Sequence, residues 1–120
     1  MPTVQKRFTV RRPDTIPKER STCGYRQRYF SMGDETPAYF HLVRIQGSKT
    51  HYHKRATEFY YILEGQGVMT VDGETFSLEP GVMVKIDPGA VHSSEGDHLV
   101  MVVGVPDIAE DDIFFPEEET

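Results

Sequence analysis

Four side chains near the middle of this 120-residue chain are of the types that hold a transition metal. In 51-HYH-53 the two histidines are two positions apart, so on a strand both project from one face, Cβ atoms roughly 6 to 7 Å apart, while Tyr52 points away. Two imidazoles so placed can converge on one ion, although an H-x-H on an exposed strand also arises with no ligand role. Glu58 heads the next apolar stretch, and period-two alternation puts it on one face with Tyr60 and Ile62. A carboxylate on an inward apolar face needs a partner, and a divalent cation would be one. His92 follows thirty-nine residues after His53, a separation that closure of a sheet can erase. Three neutral imidazole nitrogens and one carboxylate suit a single divalent Mn, Fe, Co, Ni, Cu or Zn better than Ca or Mg, which prefer all-oxygen shells. In an octahedral site such a set leaves about two positions open for a reacting molecule.

Other candidates surround this group. Tyr60 shares the face of Glu58 and could donate a proton or hydrogen bond to a substrate, or serve as packing. His41 lies on the face of a strand that also carries Tyr39, Val43 and Ile45, where it could act as a base or support the site, or simply fill the core. His98 opens a strand and is expected at the surface. Arg44 falls on the face opposite His41. Cys23 stands beside Gly24 in an expected turn with no sequence neighbour to activate its thiol.

The elements that must position these residues read as β almost throughout from Tyr25 onward. The stretch 38-AYFHLVRIQ-46 alternates over much of its length, and 59-FYYILEG-65 is short, aromatic and ended by glycines. Segments 67-GVMTV-71 and 74-ETFSL-78 are separated by Asp72-Gly73, which predicts a type I′ hairpin because both central residues need positive φ. Turns at Glu79-Pro80-Gly81 and Asp87-Pro88-Gly89 flank 82-VMVKI-86, and 98-HLVMVVGV-105 is a last strand. Many short strands at even spacing predict an all-β sandwich or barrel. Residues 1–20 read as an extended arm or strand with Phe8 and Val10 alternating, and 107–120 as an acidic segment with a short helical turn over Ile113, Phe114 and Phe115. There is no internal repeat.

Composition sets limits. With 38% apolar and 27% charged residues the chain reads as one ordinary globular domain. No apolar run suits an export signal or a membrane span, and the single cysteine excludes an intrachain disulfide and a cysteine-built metal cluster, so a reducing, cytoplasmic setting is expected. The net charge of −6 divides unevenly, with eight Lys or Arg against two acids in residues 1–28 and five against seventeen thereafter. The basic residues of the arm are scattered and broken by Pro13 and Pro17, which favours pairing with the acidic body or a second subunit over nucleic-acid binding.

The residues around the four candidates also carry a family resemblance. The stretch 47-GSKTHYHKRATEFYYILEG-65 resembles the first cupin motif: four residues separate His53 from Glu58 and six separate Glu58 from Gly65, while the run from Gly47 to His51 is two residues shorter than usual. The stretch 81-GVMVKIDPGAVH-92 resembles the second, with Gly81, Gly89 and His92 in register, Asp87 in place of the usual proline and Gly96 in place of a common asparagine. The resemblance implies a single-domain jelly-roll β-barrel over residues 21–106, holding one metal ion per chain on His51, His53, Glu58 and His92. It implies a small-molecule substrate or ligand: a dioxygenase, isomerase, decarboxylase or lyase type of enzyme, or a binding protein for a sugar or organic anion. Single-domain members usually cover their open sheet edges by pairing, so a homodimer is expected, with the arm crossing to the partner.

Overall fold

The computed structural model describes residues 6–31, 33–106 and 110–119. Seven strands build it: β1 (Glu19–Ser21), β2 (Gly24–Phe30), β3 (Tyr39–Ile45), β4 (Thr57–Val71), β5 (Glu74–Leu78), β6 (Met83–Ile86) and β7 (His92–Val105). They pair antiparallel in the order β1-β2-β3-β7-β4-β5, with β6 beside β5 along the same edge of β4. This is the all-β jelly-roll barrel expected. Inward positions recur at period two, and Tyr39, Val43, Ile45, Tyr60, Ile62, Met69, Leu78, Ile86, Val100 and Val102 form one buried core.

The Asp72-Gly73 hairpin forms as its sequence demands, with φ of 47° and 86° at the two residues. The stretches that read as two strands, 59–65 and 67–71, are in fact one fifteen-residue strand, β4. A bulge between Ile62 and Glu64 resets its alternation, so the inward residues are Glu58, Tyr60 and Ile62 before it and Met69 after it. Gly65 sits just past the bulge at φ 85°, where a Cβ would lie 2.2 Å from the Asp97 carbonyl oxygen, which no side chain could survive.

His98 is not at the surface. The last strand begins at His92 rather than at residue 98, so His98 lies in mid-strand with the parity of Val100 and Val102, pairs with Gly65 and is fully buried. The two flanking segments hold only short turns among their described residues outside β1. Before Glu19 the described residues form no strand, only a 3₁₀ turn at Pro13–Thr15, and residues 1–5 lie outside the described residues. At the other end 3₁₀ turns occupy Glu110–Asp112 and Pro116–Glu118, on either side of the positions expected to be helical, because Phe114 instead pairs its backbone with Tyr52.

Candidate metal centre

The barrel brings His51, His53, Glu58 and His92 together. One potential ligand atom from each lies within 4.8 Å of the others, and all four residues are buried. His51 and His92 are direct backbone partners, the amide N of each donating to the carbonyl of the other at 3.0 and 2.9 Å. Glu58 follows a turn of four residues and heads β4, paired across to Gly104 of β7 and Ile86 of β6.

Each imidazole is oriented by the same device. Nδ1 of His51, His53 and His92 lies 2.6, 2.8 and 2.9 Å from the backbone carbonyls of Lys49, Asp112 and Ala90. A carbonyl only accepts, so each Nδ1 carries the proton, and the Nε2 lone pairs are free to face inward. Nε2 of His53 and His92 lie 3.1 and 3.2 Å from Glu58 Oε1, but the three atoms do not meet in hydrogen-bond geometry and remain buried without a hydrogen-bonding partner. Burial opposes ionisation of Glu58, yet His53 and His92 outweigh it and hold its carboxyl well below the usual range. Burial likewise lowers His51, to about 4, helped by His92. Fixed tautomers, converging lone pairs and one ionised carboxylate are the donor set of a divalent transition metal, and these residues fit one.

Two supporting residues escaped the sequence reading. The Tyr39 hydroxyl donates to Glu58 Oε2 at 2.5 Å, which turns Oε1 toward the histidines. Its inward parity was visible, but its contact with a residue two strands away was not. Asp112 is 2% exposed, and its carboxylate accepts from the backbone N–H groups of Lys54, Arg55 and Ala56 at 2.8 to 3.2 Å while its own carbonyl holds His53. It thereby shapes the turn between His53 and Glu58 from a segment that reads only as acidic with a short helical turn.

Beside the four residues opens a cavity of about 580 Å³, whose walls include Tyr39, His41, Tyr60, Cys23 and Arg26. Burial and the Glu58 charge push the Tyr60 phenol well above its ordinary value. His41 is lowered to about 4 by burial and by Arg26 and Arg28, so it is a neutral imidazole at pH 7. The Cys23 thiol is pushed up to about 12 by burial and by Glu58, which keeps it protonated and a poor nucleophile. Arg44 stays outside, bound to Asp97.

Fold and site together define a cupin, and comparison with known sequences agrees. The sequence profile of the cupin domain matches residues 38–103, more than half of the chain, and the chain belongs to that family. It is 38% identical over 76 residues to quercetin 2,3-dioxygenase of Bacillus subtilis, a match covering 58% of this chain and 23% of that enzyme. The curated relatives it matches are covered over only 23% to 41% of their length. Among solved structures, a protein of Planctomyces limnophilus superposes with a TM-score of 0.81 at 23% identity, covering 96% of this chain and 97% of its own. The Streptomyces nucleoside dehydratase Pac13 gives 0.75 at 19% identity, covering 97% and 98%. These two likenesses speak for the fold alone. No described helix is long and apolar enough to cross a membrane.

Proposed function

We propose that this cupin is a metal-dependent enzyme acting on a small, oxygen-rich organic molecule, with one transition-metal ion held by His51, His53, Glu58 and His92. The observation that carries the reading is the common orientation of the three imidazoles: each Nδ1 is tied to a carbonyl, Nε2 of His53 and His92 lie 3.1 and 3.2 Å from Glu58 Oε1, and one ligand atom of each of the four residues lies within 4.8 Å of the others. A bound ion would supply Lewis acidity toward a substrate oxygen. The chain's own groups would do the rest. Tyr39 keeps Oε2 of Glu58 engaged, Tyr60 offers the substrate a hydroxyl donor, and His41 places a neutral imidazole in the cavity wall. Dioxygenase, isomerase and lyase chemistry all use such an apparatus, and the enzymes it resembles act on quercetin and on nucleosides.

Elemental analysis of purified protein tests the site. We expect about one transition-metal ion per chain in wild type and loss of most of it in His53→Ala. Wild type without metal, or full occupancy in the variant, refutes the assignment.

One observation favours a second reading, a small-ligand binding protein without turnover. Both proton-transfer candidates are shifted away from neutrality, His41 downward to about 4 and Tyr60 upward. A ligand that binds tightly and is recovered unchanged, with Tyr60→Phe binding it equally well, would decide for this reading.

The assembly we propose is a cytoplasmic homodimer. Phe40, Tyr61, Met83 and Val105 are exposed apolar residues on the outside of the sheet, and Phe8 and Val10 of the basic arm are 68% and 60% exposed. A partner would cover them. Light scattering at micromolar concentration is expected to give twice the chain mass, and a monomer there refutes the dimer.

A further inference from the structure

The metal side of the cavity is accounted for, but the wall made by β1 and β2 is not. Arg26 and Arg28 stand on the inward face of β2, opposite Val43 and His41 of β3, and both line the cavity. Glu19 of β1 is the carboxylate beside them. It binds Arg28 through two contacts, Nε to Oε1 at 2.5 Å and Nη2 to Oε2 at 3.2 Å. Its nearest approach to Arg26 is 4.0 Å, beyond hydrogen-bond range.

Arg26 is therefore left over. Its Nε is buried with no hydrogen-bond partner among the described residues, and Glu19, hydrogen-bonded to Arg28, reaches it only as a long ion pair at 4.0 Å. On the same wall, His41 presents a buried Nε2 that likewise has no hydrogen-bond partner. Unpaired polar nitrogens facing a cavity are costly unless an occupant satisfies them. A guanidinium with its planar fork is suited to a carboxylate or phosphate, and a neutral imidazole beside it can donate from Nε2–H to the same oxygens. A cavity of about 580 Å³ also has the size of a small-molecule site.

We propose that Arg26, with His41 beside it, is an oxyanion subsite, and that the cavity takes a small organic molecule with an oxygen-bearing end at the four-residue centre and a carboxylate or phosphate at Arg26. The substrate class rests on the metal reading above; the anion subsite itself does not.

Two matched probe pairs test this on metal-loaded protein by calorimetry: malate against lactate, and 3-phosphoglycerate against glycerate. Within each pair the 2-hydroxycarboxylate end is the same and a second acid is added. In wild type the second acid should tighten binding about 10- to 100-fold, the range of a charged hydrogen-bonded contact, and the pair with the larger gain identifies carboxylate or phosphate. Arg26→Gln should erase the gain while leaving the lactate or glycerate affinity and the metal content as they were, and Arg26→Lys should restore part of it. No gain in wild type, or an undiminished gain in Arg26→Gln, overturns the subsite. Metal content of the same preparations separates the two readings. If wild type takes up no metal, the centre is refuted, and titration with inorganic phosphate then decides the subsite: about tenfold weaker binding in Arg26→Gln supports it, equal binding refutes it.

Discussion

The segments at the two ends of the barrel start from similar material and reach different states. Residues 6–18 and 110–119 are both rich in charge, both carry paired apolar residues and both contain only short 3₁₀ turns. The first is held at its base by buried Gln27, which donates to the carbonyls of Pro13 and Ile16 at 2.8 and 2.9 Å, and further out only by exposed Arg11, which donates to the Tyr29 carbonyl at 3.0 Å and to Asp34 at 2.7 Å, while Phe8 and Val10 remain exposed. The second is docked along its length. Phe114 pairs with and stacks on Tyr52, Lys49 binds Glu118 at 2.7 Å, and Asp112 is buried against three backbone N–H groups. The lesson is that charge count does not decide whether an irregular segment becomes part of a site. Exposed ion pairs add about 0 to 1 kcal/mol each, whereas a buried carboxylate serving otherwise orphaned amides is costly to remove.

The largest effect should come from Asp112→Ala, which strands the amides of Lys54, Arg55 and Ala56. We expect a loss of about 2–4 kcal/mol in urea unfolding, and metal binding weakened by about tenfold or more in chelator competition. Asp112→Asn should recover part of both. Unchanged stability in Asp112→Ala would place this segment in the same category as the arm.

Tyr39→Phe removes the other support, the hydroxyl on Glu58 Oε2, from within the barrel. Metal affinity should fall about tenfold, with an unfolding cost of no more than about 1.5 kcal/mol. A cost in stability with no change in affinity would make Tyr39 a packing residue only.

Acid should release the metal in a defined order. Burial alone would lower His53, but the neighbouring Glu58 carboxylate and the Asp112 carbonyl outweigh it and raise its pKa above 6.5. A proton and a metal ion compete for the same Nε2 lone pair, so affinity holds above that raised pKa and falls as pH drops through it. The slope should be at least about tenfold per pH unit, and it should steepen further near pH 4, where His51 also protonates. Chelator competition from pH 8 down to pH 4 measures this, and a flat profile between pH 7 and 5 would contradict it.

The smallest effect belongs to the arm. Phe8→Ser with Val10→Ser should change the unfolding free energy of the barrel by no more than about 0.5 kcal/mol and leave metal binding untouched, shifting only the monomer–dimer balance seen by light scattering. A larger loss of stability would show that the arm packs on its own barrel in solution.

Much of this protein was legible without coordinates. Spacing alone placed His51 and His53 on one face, Glu58 with Tyr60 and Ile62, and a type I′ turn at Asp72-Gly73, because side-chain alternation and backbone φ are local properties of the chain. The cupin motifs identified His92 as their companion across thirty-nine residues. What local rules could not deliver depended on which segments meet. The bulge at Leu63 merged two expected strands into one, and the earlier start of β7 carried His98 inside. Asp112 and Tyr39 became supports of the site through contacts fifty-nine and nineteen residues away along the chain. Nε of Arg26 has no hydrogen-bond partner among the described residues, with Glu19 hydrogen-bonded to Arg28. The sequence by itself determined the alternation of faces, the turns and the residue types gathered at the candidate site; tertiary structure decided where strands begin and end, which polar groups are satisfied and which are left facing the cavity, because pairing of buried donors and acceptors is settled by closure of the barrel.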